Sequence, residues 1–411
     1  MCAQPASRPV PWGSDISRTA PRRTWITSTS TWECDDMKIT EVEAIVLRQP
    51  SDVNREIADA SQDALIVRIH TDEGLIGIGE IDSSPQVAKA VIDAPTSHAN
   101  ASGLRNLLVG QDPSDISGLW RRMFEGTIYF GRRGVTLHAI SGIDIALWDL
   151  AGKAHGVPIH ELLGGARRDR VPAYASTLMP DTPSEVRRVV SEQLAAGFGA
   201  VKLGWGALGS EPDIEEGLVA AARDAIGDRP LMLDIGMAWK GADDAIARSM
   251  RLEPYRPSWI EEPFFPDAYA DYARLASATL IPIAAGEEES TLTDFERLLD
   301  TGVQVVQPDV SRAGGITECI RIAESVLGRG RSCVLHAWST GIVKAASLHV
   351  LAVLDRADWF EYCVQQTELN QRLVSQQFPI RDGCAMVPDG SGLGIELDEE
   401  VLEECFIDRS R

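Results

Sequence analysis

From Gly165 onward the chain keeps a beat. Short apolar runs recur at VPAYAS (from 171), AVKLG (200), PLMLD (230), SWIE (258), IPIAA (281), QVVQP (304), SCVLH (332) and DWFE (358). Their starts lie 29, 30, 28, 23, 23, 28 and 26 residues apart, with amphipathic stretches of helix length between them. Parallel strands need a crossover of a dozen or more residues, usually a helix. Eight units at so even a pitch predict a (β/α)8 barrel of the TIM type. A doubly wound open sheet is the alternative, but it seldom reaches eight such units.

The flanks read differently. MKITEVEAIVLR, from Met37, alternates like a strand, and DALIVRIHTDEGLIGIGEI gives two apolar runs around Asp72-Glu73-Gly74, a hairpin signal. The Gly77-x-Gly79 pair has no third glycine and no helix start after it, so it reads as strand glycines rather than a dinucleotide loop. HAISGIDIALWDLAGKAHGVP carries a helical period that Gly156 and Pro158 end. Residues 37–165 therefore predict an α+β capping domain, 166–375 the barrel, and 376–411 a loop-rich segment packing back on the cap. Residues 1–36, rich in Ser, Thr, Pro and Arg, read as a disordered extension or an upstream start.

A formal charge of −22 argues against nucleic acid and anionic membrane surfaces as partners, though not against a small anionic substrate. No run of 18 apolar residues predicts a membrane span. Seven scattered cysteines without a CxxC pair fit reduced thiols in a cytoplasmic protein.

In such a barrel the active site is built at the carboxyl ends of the strands. Here the third strand ends in Asp234, the fourth in Glu261, the fifth in Glu287, the sixth in Asp309, the seventh in His336 and the eighth in Glu361. The second carries Lys202. One such acid is commonly a helix cap; six consecutive strands are hard to reach by capping alone. Three carboxylates converging on one point need a hard divalent cation, and an oxygen-only set favours Mg²⁺, with Mn²⁺ able to substitute, over Zn²⁺. In WIEEP, Glu261 and Glu262 point to opposite faces, so Glu262 is expected to serve as a partner to a lysine or to backbone.

WIEEP, the Gly286-Glu287 step, QPDVSRAGGIT and HAWSTG together resemble the enolase superfamily, and within it the mandelate racemase subgroup. The likeness runs from about Met37 to the C-terminus. It includes three acids 27 and 26 residues apart and an Asp–His pair 27 apart. It implies metal-assisted removal of the proton alpha to a carboxylate, the chemistry of a superfamily that uses Lys or His bases with Mg²⁺. Lys202 and a protonated Glu361 would donate to the substrate carboxylate. His336 would be the base, oriented by Asp309. The resemblance also implies a homo-oligomer.

One departure sharpens the reading. Racemases of the subgroup carry Lys-x-Lys on the second strand, whereas VKLGWG puts Gly204 at the second lysine's place. A single base suits dehydration of an acid sugar (aldonate or aldarate) to a 2-keto-3-deoxy acid through a metal-stabilised enediolate. The general acid would be His336 itself or Tyr129 from the cap. An epimerase, racemase or lactone cycloisomerase is the alternative, and a non-catalytic binding homologue a distant one. The lid-like stretch RQPSDVNREIADASQD, with Arg55, Tyr129, Trp338 and Arg312, is the expected source of substrate contacts.

Overall fold

The computed structural model describes residues 37–411 apart from 51, 52, 58 and 377. The reading of residues 1–36, with Cys2 and Cys34, lies outside the described residues. Of the other cysteines, Cys319, Cys333, Cys363, Cys384 and Cys405 are all free thiols.

The cap is built on β1 (Ile39–Arg48), β2 (Asp63–Thr71) and β3 (Ile76–Ile81), antiparallel in that order. Gly74, at φ +78°, supplies the left-handed turn that closes the β2–β3 hairpin. The helix Val135–His155 lies across this sheet and ends at Gly156 in the left-handed conformation. Gly77 and Gly79 let it come close: a Cβ would lie 2.1 Å from the Ala146 carbonyl oxygen at the first and 2.0 Å from that of Gly142 at the second. The helix is buried on nearly every side because its far face meets the second domain. There Trp148 Nε1 donates to Thr317 Oγ1 (2.9 Å), and Thr317 Oγ1 donates to Asp144 (2.6 Å).

That second domain holds β4 (Arg170–Leu178), β5 (Ala200–Gly204), β6 (Leu231–Asp234), β7 (Trp259–Glu261), β8 (Ile283–Ala285), β9 (Val305–Val306), β10 (Ser332–Cys333) and β11 (Phe360–Cys363). From β4 to β10 they pair in parallel in chain order, and β11 pairs in parallel with β4 on its other side. Tyr174, Ala200, Met232, Trp259, Ala284, Val305 and Val334 form one buried cluster with Trp359 against it. Each strand, or the residue beside it, gives one member. Such an interior layer is what a barrel-type domain encloses.

The C-terminal segment divides between the two domains. In it, β12 (Ile380–Arg381) pairs with β13 (Cys384–Met386), and β13 pairs antiparallel with β4. The final strand β14 (Phe406–Ser410) completes the cap sheet beside β1. His349 fastens the junction. It donates Nε2–H to the Leu393 carbonyl (3.1 Å), so its Nδ1 accepts from His160 Nδ1–H (3.1 Å). Burial holds its pKa down to about 3. Among the described residues no helix is long and apolar enough to cross a membrane.

Gly79→Ala should destabilise the chain by about 2 kcal/mol or more through overpacking against the helix, measurable as a lowered urea midpoint. His349 takes up its proton near pH 6.5 when unfolded but only near pH 3 when folded, so its contribution to stability is complete above about 6.5 and is lost as pH falls. Urea-unfolding free energies measured from pH 7 to 4 should fall on the order of 1 kcal/mol per pH unit more steeply in the parent than in His349→Gln.

Candidate active site

Strand side chains alternate faces, so a residue two places beyond a ring member faces the same interior, one layer nearer the strand ends. By that rule Ala200 is followed by Lys202, Met232 by Asp234, Trp259 by Glu261, Val334 by His336 and Trp359 by Glu361. On β8 the count slips by one: Gly286 turns at φ +134° and presents Glu287 instead.

Asp234 and Glu261 stand in register on β6 and β7. Oxygens of Asp234, Glu261 and Glu287 lie within 4.8 Å of one another, all buried. Two cations border them, each shared with other acids. Lys202 Nζ contacts Glu261 and Glu361 (2.7 Å to the latter) and lies 4.0 Å from Asp234. Arg312, also held by Asp82 and Glu288, places Nη1 3.9 Å from Glu287. Burial lowers the lysine pKa, but the two glutamates outweigh it and hold Lys202 charged. Burial and the charge of Glu261 push Asp234 well above the usual carboxylate range. An oxygen-only trio with too little positive charge beside it is a donor set that fits a hard divalent cation.

Across the cavity His336 Nδ1 meets Asp309 Oδ2 at 2.6 Å, and a parallel bridge aligns these residues just beyond β9 and β10. Asp309 Oδ1 is held by Ser311 N–H (2.6 Å) and Oγ–H (2.5 Å). An acceptor at Nδ1 makes that nitrogen carry hydrogen and leaves Nε2, 3.4 Å from Glu287, for chemistry. Burial depresses the imidazole, but Glu287, Glu361 and the Asp309 hydrogen bond raise its pKa to about 10. Positive charge at Glu287 would offset the first of these and return the ring toward its neutral form.

Glu361 corrects an expectation. It accepts from Ser176 Oγ (2.7 Å), Ala337 N (2.8 Å) and Lys202. Burial pushes its carboxyl up, yet Lys202 and His336 bring it down to about 2. Glu361 is therefore an ionised anchor for Lys202 and for the backbone beside His336, not a protonated donor.

Glu262, buried at φ +40°, faces away from Glu261. It accepts from Tyr272 O–H (2.7 Å) and from Gly286 N–H (2.8 Å). The second acid of WIEEP thus pins the backbone one residue before Glu287.

A cavity of about 310 Å³ opens above these groups. Its wall includes Lys202, Asp234, Glu287, His336, Trp205, Trp338 and Arg312, together with Asp59 and Ala60 from the cap loop. Two of the expected contact residues stand off this wall. Tyr129 is 76% exposed, packs edge-on against His98 and is absent from the wall, because its loop turns outward. Arg55 is exposed and also off the wall, whereas Asp59, four residues on, reaches it.

Residues 37–164 match the N-terminal domain of the mandelate racemase / muconate lactonizing enzyme family, and residues 185–401 match the enolase C-terminal domain-like family. The chain belongs to the enolase superfamily, in its mandelate racemase subgroup. A D-galactonate dehydratase of Pectobacterium atrosepticum is 36% identical over 83% of this chain and 90% of its own length. A 3,6-anhydro-D-galactonate cycloisomerase from Zobellia galactanivorans superimposes with a TM-score of 0.82 at 31% identity, covering 90% of this chain and all of that one. A racemase from Streptomyces coelicolor with bound magnesium reaches 0.79 at 28% identity, covering 90% and 100%.

Trp259 was legible and overlooked. Its Nε1 donates to Glu261 Oε2 (2.8 Å) from two residues earlier on the same strand face. Glu80 of β3 and Asp82, just past its end, had no such local cue; they act across the interface, on Thr340 (2.6 Å from Glu80) and on Arg312 (2.8 Å from Asp82). Trp259→Phe should keep the fold but weaken Mg²⁺ binding about tenfold or more by titration calorimetry, because an unanchored Glu261 must be ordered on binding.

Proposed function

We propose that this chain is a Mg²⁺-dependent acid-sugar dehydratase of the enolase superfamily, forming a 2-keto-3-deoxy acid from an aldonate or aldarate. The observation that carries the reading is at Gly204. It stands in register with Asp234, and a Cβ there would lie 2.6 Å from the Asp234 Cβ and 3.0 Å from its Oδ2. No side chain fits where a racemase carries its second lysine, and Lys202, held charged between two glutamates, cannot take a proton. That leaves the imidazole of His336 as the base.

Bound by Asp234, Glu261 and Glu287, Mg²⁺ (or Mn²⁺) would supply Lewis-acid stabilisation of charge building on the substrate carboxylate. An oxygen-only donor set and a structural neighbour with bound magnesium support that choice. Lys202 is placed to donate to the same carboxylate. His336 Nε2 takes the proton from the carbon next to it, while Asp309 holds the tautomer and stabilises the imidazolium. The electron pair left behind expels the hydroxyl from the neighbouring carbon. His336 returns its proton to that oxygen, water departs, and the enol tautomerises to the 2-keto acid. Tyr129, off the cavity wall, has no part in this.

The D-galactonate dehydratase relative supports this reaction, and the cycloisomerase neighbour marks the competing one. Mg²⁺-loaded protein incubated with a panel of aldonates and aldarates should form 2-keto acid, and His336→Asn should lower kcat about 10³-fold with Mg²⁺ affinity kept. Normal Mg²⁺ binding with no turnover of any panel member would sink the dehydratase reading. Solvent deuterium appearing in recovered substrate without 2-keto acid would replace it with isomerisation.

A further inference from the structure

A sugar acid whose carboxylate lies at Lys202 and the three-acid cluster extends its far end toward the cap. Among the described residues the cap contributes Asp59 and Ala60 to the cavity wall, with Trp338 beside them. Asp59 is firmly placed. Its Oδ1 accepts from Trp338 Nε1 (3.1 Å), Ser61 N (3.0 Å) and Ser61 Oγ (2.6 Å), while Oδ2 accepts from none of the described residues. A carboxylate fixed through one oxygen, with the other unengaged, is built to accept hydrogen from a hydroxyl.

The positive groups on that wall are already matched. Lys202 lies between Glu261 and Glu361. Arg312 gives Nε and Nη2 to Asp82 (3.1 and 2.8 Å) and directs Nη1 toward Glu288 (3.3 Å). His336 is paired with Asp309. Arg133, in the cap loop after Tyr129, is spent on Asp294 at 2.5 Å. Among the described residues, no cation on the wall remains to meet a second substrate carboxylate, and a like charge already stands at that end.

We propose that Asp59 is a specificity-determining residue that selects monocarboxylic aldonic acids over dicarboxylic aldaric acids: it accepts a hydroxyl from the distal end of the one and repels the terminal carboxylate of the other. This deepens the dehydratase reading and rests on its placement of the substrate carboxylate. Like charges brought together in a low-dielectric pocket discriminate strongly between partners.

The test is binding to the full-length Mg²⁺-loaded His336→Asn enzyme, followed by calorimetry and by fluorescence of the cavity tryptophans Trp205 and Trp338. The ligands are hexonates and the hexarates that share their configuration at C2 to C5. The hexonate should bind at least tenfold more tightly. Adding Asp59→Asn, which keeps an acceptor for Trp338, should weaken hexonate binding and bring the two affinities within about threefold. Adding Asp59→Arg should reverse the preference, a gain that mere disturbance of the loop would not produce. Equal or tighter hexarate binding by the starting enzyme, a preference unmoved by both substitutions, or binding of neither acid would overturn the proposal. The dehydratase reading is judged separately, by whether the wild type converts an acid that binds into a 2-keto acid.

Discussion

Placing Asp234 and Glu261 side by side at the strand ends, in register and out of water, is the demand that organises the rest of this molecule. Isolated carboxylates in such a place would protonate rather than stay charged. The chain answers with a lysine from the neighbouring strand, with an indole N–H from two residues upstream, and with a site for a divalent ion. Lys202 in turn needs its own anchor, Glu361, which stays ionised and also holds the Ala337 N–H next to the His336 imidazole. The three-acid cluster and the His336–Asp309 pair thus share one electrostatic network.

The cap participates through buried acids rather than through apolar contact alone. Glu80 on β3, raised to about pKa 7 chiefly by burial, takes hydroxyl hydrogen bonds from Ser339 and Thr340, just beyond His336. Asp82, two residues on, grips Arg312, which borders Glu287. One acid near the end of β3 and one just beyond it reach loops after two different barrel strands. Cap and barrel are therefore registered on each other at the reacting centre, and the loop carrying Asp59 is tied into the same frame through Trp338.

Much of this could be read from the chain because period and position carry it. The strand beat predicts the barrel, and position at the strand ends brings Asp234, Glu261, His336 and Glu361 together, with Lys202 on the second strand. The pairing of Asp309 with His336 and the backbone role of Glu262 were also within reach. What failed did so for physical reasons. The protonation of Glu361 depends on how many donors surround it, a three-dimensional sum that no spacing encodes. Tyr129 and Arg55 have suitable residue types in plausible loops, but loop direction is set by tertiary contacts such as Trp338 with Asp59. Asp82 and Glu80 read as ordinary strand acids until the partner domain is laid against them.

The tight fit between β5 and β6 has an evolutionary side. Elsewhere in the superfamily a lysine on that strand supplies a second face to the reaction, yet here Asp234 occupies the space its first carbon would need. A lysine introduced at Gly204 would force β5 and β6 apart at the residue that stands in register with Glu261, so a second base could enter only by displacing a member of the acid trio. The constraint is one of substitution order: glycine is compatible with the present packing, and a larger residue at 204 becomes compatible only once β6 has moved.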